Sequence, residues 1–135
     1  MPHSSDGDAV GAARLPWDKV PARFRIEKAL GQGGMGEVLL ARDTLLQRRV
    51  ALKRLLPTGT DSARQRSAIL REARRASQIN DRHIAAIYDV LDLDDQVILV
   101  MEYVDGVTLR ERMERPVSLD DFWQLAPQCV DALAA

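Results

Sequence analysis

A chain of 135 residues can build one modest core, and 46% hydrophobic with 29% charged residues is ordinary for a globular protein. The formal net charge of −1 offers no global attraction for nucleic acid or an anionic membrane, and the single cysteine, Cys129, excludes an internal disulfide. His3 and His83 lie far apart without CxxC or HExxH spacing, and the longest apolar stretch, Val97–Met101, is too short to span a bilayer; neither a metal centre nor a membrane segment is expected in this portion.

The start, Met1 to Asp8, has neither a basic cluster nor an apolar run, so no signal peptide is expected and the default setting is cytoplasmic. Residues 1–21 are rich in Gly, Ala, Ser and Asp, broken by Pro16 and Pro21, and read as a flexible leader; where Trp17 goes is left open. From Phe24 the texture changes. Phe24, Ile26 and Ala29-Leu30 suggest a strand, Gly31 to Gly36 a glycine-dense turn, and Val38 to Ala41 a second strand. Arg49 to Leu55 forms a third strand closed by Pro57 and Gly59. A helix is expected over 62–79, with Ile69, Glu72, Ala73, Ala76 and Ile79 on one side and Arg64, Arg71, Arg74 and Arg75 on the other. Ile84–Leu91 and Gln96–Tyr103 read as strands joined by the acidic turn at 92–95. Beyond Asp105-Gly106 the pattern turns helical over Thr108–Glu114, then again from a capping box at Ser118 and Asp121 to Ala135, with Pro127 expected to kink the last helix. The order strand-strand-strand-helix-strand-strand, with hairpin-length connections, favours an α+β fold: an antiparallel sheet with one packed helix.

Chemistry concentrates at three places. Leu30-Gly31-Gln32-Gly33-Gly34-Met35-Gly36-Glu37-Val38 contains GxGxxGxV, whose glycines let backbone N–H groups approach phosphate oxygens. Alone, the pattern fits a plain flexible hairpin equally well. A dinucleotide fold would need a helix after the glycines, whereas a strand follows here, although Val38 and Leu40 alternate imperfectly with Glu37 and Leu39. Lys53 lies in the apolar strand Val50-Ala51-Leu52-Lys53, which argues against a merely solvated lysine. Glu72 falls inside the apolar arc of its helix while the helix's arginines point away, so Lys53 is the candidate counterion, the alternative being a carboxylate that reaches water at the edge of the arc.

Together the glycine loop, the Lys53 strand and the Glu72 helix resemble the small lobe of eukaryotic-like (Hanks-type) protein kinases. The spelling Gly33-Gly34-Met35-Gly36-Glu37-Val38, with Val100-Met101-Glu102-Tyr103-Val104-Asp105-Gly106 downstream, is similar to the bacterial serine/threonine branch, over residues 22 to 135. The resemblance implies a five-stranded antiparallel sheet with one packed helix over residues 22–104, then the hinge exit and first helices of a truncated large lobe over 105–135. It implies transfer of the ATP γ-phosphoryl group to a protein Ser or Thr in the complete enzyme.

By the same resemblance the loop Leu30–Val38 would cover the ATP phosphates, and Lys53, paired to Glu72, would bind the α- and β-phosphates. Val38 and Ala51 would cover the adenine, Met101 would be the gatekeeper, the backbone of Glu102 and Val104 would meet the adenine edge, and Thr108 would lie near the ribose. Mg²⁺ is implied too, but neither the H-R-D-x-x-x-x-N nor the D-F-G segment that holds it in this family occurs in residues 1–135, so this portion is expected to be inactive alone. The expected partners are ATP and a protein substrate, with no nucleic acid or membrane; a homodimer stays open. A non-catalytic, pseudokinase-like binding module and an inert fragment are the alternatives.

Overall fold

Apolar runs with period-two alternation and short polar turns between them pair with their chain neighbours. In the computed structural model, which describes residues 17–33, 36–57, 61–94 and 96–135, these runs are β1 (Phe24–Gly33), β2 (Gly36–Asp43), β3 (Arg48–Leu55), β4 (Ile87–Leu93) and β5 (Gln96–Glu102). All adjacent pairs are antiparallel, in the spatial order β1-β2-β3-β5-β4. Helix α1 (Ser62–Ala76) connects β3 to β4, and α2 (Leu109–Arg112) and α3 (Leu119–Ala134) follow the sheet. This is the α+β arrangement expected from the order of elements. The leader residues 1–16, Gly34, Met35, Gly59 and Asp95 lie outside the described residues.

Several boundaries differ from the sequence pattern, each for a local reason. Helix α1 stops at Ala76 instead of 79, because Gln78 and Ile79 donate to carbonyls three residues back, a tighter turn than the α-helix. Strand β4 begins at Ile87, not 84, because Ile84 N–H turns back to the Asp81 carbonyl. The helix expected over 108–114 is reduced to the four residues of α2. Pro127 lies within α3, which runs from Leu119 to Ala134.

The core lies on one face of the sheet, where Phe24, Ala41, Val50, Leu52, Ile98 and Val100 are buried together, with Trp17, Val20, Leu91 and Leu93 packed against them. On the other face α1 covers the sheet near β4 and β5, which explains why residues 96–100 of β5 are all buried despite alternating in direction. Gln96 is the costly member of that run: it is fully buried, and among the described residues neither side-chain amide atom has a hydrogen-bond partner. The β2–β3 register is set at its turn, where the buried Asp43 carboxylate accepts from the N–H groups of Leu45 (3.0 Å) and Leu46 (3.1 Å) and Gln47 adopts φ 54°.

Candidate functional site

That register brings the expected site residues to one face. Ala51 pairs with Leu40 on one side and Met101 on the other, and Lys53 pairs with Val38 and Leu99. Side chains of residues directly opposite one another share a face, so Val38, Ala51, Lys53, Leu99 and Met101 face the side opposite the main core. Lys53 is half-buried there. Helix α1 lies over the same face, and a cavity of about 390 Å³ opens between them, lined by Leu55, Ile69, Glu72, Ala73, Ile87 and Leu99 among others.

The glycine hairpin continues β1 and β2 past Val38, the β2 partner of Lys53. Gly31 pairs with Val38, Gln32 with Glu37 and Gly33 with Gly36. Its glycines answer to different demands. Gly36 has φ +116°, and a Cβ there would stand 2.1 Å from the Arg54 carbonyl oxygen, so only glycine fits. A Cβ at Gly31 would meet nothing within 4 Å. Packing does not require glycine at 31. Leu30, beside it, is 39% exposed.

Other expected residues are placed less simply. Glu72 borders the cavity, as its position in the apolar arc suggests, but it is exposed, and no ion pair joins it to Lys53 in this structure. A carboxylate that reaches water has no need of a buried counterion, which removes the force invoked from the helical pattern. Met101 is half-buried beside Ala51 and Ile87. The Glu102 N–H donates to the Ala86 carbonyl at 2.8 Å, so that group cannot serve a ligand, while Val104 is 66% exposed. Thr108 is the N-cap of α2: its hydroxyl oxygen accepts from Glu111 N–H (3.2 Å), and its own N–H and hydroxyl donate to the Glu111 carboxylate (2.6 and 2.8 Å). The spacing Thr-x-x-Glu was itself a legible signal of that cap.

Trp17 docks on the opposite face of the sheet. Its indole N–H donates to a Glu37 carboxylate oxygen at 2.9 Å, and the Arg54 guanidinium stacks 4.0 Å from its ring centroid. Nothing in the local pattern around Trp17 could have located this contact, because its partners are distant in the chain.

A five-stranded antiparallel sheet with one helix, a glycine hairpin and a half-buried lysine on the strand paired with it define the small lobe of a protein kinase. Residues 24–135 match the protein kinase domain, and the chain belongs to that family. It is similar to the serine/threonine-protein kinase PrkC of Bacillus subtilis, with 35% identity over 118 residues, 86% of this chain and 18% of that protein. It is also similar to PknD of Mycobacterium tuberculosis (37% over 92 residues, 68% of this chain, 14% of that protein) and PknA of Corynebacterium glutamicum (34% over 116 residues, 82% and 24%). The chain thus spans a quarter or less of the length of these relatives.

Proposed function

We propose that this chain is the nucleotide-binding portion of a bacterial serine/threonine protein kinase, holding ATP while the γ-phosphoryl group passes to a protein hydroxyl. The observation that carries the reading is Gly31, a glycine with open space where a side chain would stand, paired with Val38, the residue that is itself paired with Lys53. Such a gap suits phosphate oxygens approaching backbone N–H groups. Lys53 contributes a compact positive charge for the phosphates, and Glu72, on the same side of the sheet, is the carboxylate available to orient it. Val38, Ala51 and Met101 supply apolar surface for the adenine, with the exposed Val104 beyond its edge.

Mg²⁺ would neutralise phosphate charge in the complete site. Residues 1–135 include neither of the family's metal-holding segments, and we assign the metal no ligand here. We assign the acceptor oxygen no base here: Asp89 is paired to Arg23 and Asp92 to Arg66 at the far strand. The setting we assign is cytoplasmic; among the described residues no helix is long and apolar enough to cross a membrane.

Radiolabelled ATP and a generic acceptor protein test the assignment, with the 135-residue chain compared against a form continued through a second kinase lobe. Transfer is expected only from the longer form, and Lys53→Met is expected to abolish it. Transfer by the short chain above its own Lys53→Met control would place the chemistry within these residues and overturn the reading.

A further inference from the structure

Lys53 and Val38, which face the nucleotide side, are each followed or preceded by a residue facing the opposite side: Arg54 after Lys53, Glu37 before Val38. Those two neighbours meet behind the sheet. The Arg54 Nη1 lies 3.7 Å from the Glu37 carboxylate, and both side chains are sheltered, 4% and 12% exposed. Trp17 closes over them, donating its indole N–H to the same Glu37 oxygen and laying its ring against the Arg54 guanidinium. Val20 packs beside it on the core, and its N–H is bonded to the Trp17 carbonyl at 3.1 Å, so a short turn presents the indole. On the same end of the sheet the backbone of Gly36 presses against the Arg54 carbonyl.

We propose that Trp17 is a positioning residue for nucleotide binding, a clamp on the back of the sheet that holds the root of the glycine hairpin against β3. The inference rests on the nucleotide-site reading above and extends it to a residue ahead of the kinase domain match, which begins at residue 24. The physical reason is shelter. A guanidinium and a carboxylate attract weakly in water and more strongly where an indole excludes it, and the cation–π contact adds to the same clamp. Loosening that contact frees β2 at Gly36–Val38, where the loop meets the strand bearing Lys53. The ligand then has to order a hairpin that the clamp had ordered beforehand.

The test uses the full-length protein that carries this chain, with Trp17→Ala, Trp17→Phe and Glu37→Gln. Hydrogen exchange, read without nucleotide, is expected to quicken about tenfold at residues 31–38 in Trp17→Ala and to stay near wild type across β4 and β5. The KM for ATP is expected to rise about 3- to 10-fold, by more than kcat falls, as for a lost sheltered cation–π contact. Trp17→Phe keeps a ring for Arg54 and is expected to recover part of both effects; Glu37→Gln keeps an acceptor for the indole and should fall between as well. Exchange that quickens uniformly over all five strands, or a hairpin unchanged in Trp17→Ala, would overturn the proposal. A quickened hairpin in a protein that shows no Lys53-dependent ATP use would uphold the clamp and sink the nucleotide reading instead.

Discussion

Gly31 and Gly36 belong to one motif, yet the structure separates their reasons for being glycine. At Gly36 a methyl group would meet the Arg54 carbonyl at 2.1 Å in a backbone region that side chains avoid. Gly36→Ala is therefore expected to destabilise the fold by about 1–3 kcal/mol. Gly31→Ala meets no atom of the described residues within 4 Å and should change stability by about 0.5 kcal/mol or less, while weakening nucleotide binding in the complete kinase. Thermal melts paired with ATP titrations separate the two; equal melting losses, or undiminished ATP affinity in Gly31→Ala, would contradict the assignment. The glycine motif was plain in the sequence, but its division into a ligand position and a packing position was not, because the Arg54 carbonyl is brought to Gly36 only by the β2–β3 pairing. Glu72 shows the converse. Its place on the helix face was legible from the 3.6-residue period, whereas its distance from Lys53 depends on how closely α1 approaches the sheet, which no helical period encodes.

Among the elements, α2 and α3 are held at their starts by side chains that titrate. The Thr108 N–H, and then its hydroxyl, hold the Glu111 carboxyl below its ordinary range, and the Ser118 hydroxyl does the same for Asp121, helped by Arg112 at 2.7 Å. A carboxyl depressed in the folded state adds stability that is complete above the unfolded value, about 4. It disappears as the pH drops through the lower folded value. Amide exchange at residues 109–124 is thus expected to quicken between about pH 4.5 and pH 3, with Glu111→Gln and Asp121→Asn each flattening the response. A pH response at 109–124 that neither substitution alters would show that the caps are not its source. Both caps follow the spacing Ser/Thr-x-x-Asp/Glu, a contact within one turn, and so were open to reading from the chain alone.

At the scale of the whole molecule, α3 carries Phe122, Trp123, Val130 and Leu133 at 51%, 68%, 63% and 88% exposure. These are surfaces suited to the second lobe of a kinase domain, and the nucleotide would be gripped from one side only by the lobe described here. The 135-residue chain is expected to bind Mg-ATP weakly; calorimetry giving a micromolar Kd would contradict this. The kind and order of the strands and helices, though not all their ends, were determined within the sequence itself, since alternation, glycine and capping residues act over a few positions along the chain. The tertiary structure alone decided that Trp17 covers Glu37 and Arg54, and that Glu72 is exposed at the rim of the cavity under α1. Those outcomes turn on how closely elements distant in sequence approach, and that is set by packing across both faces of the sheet.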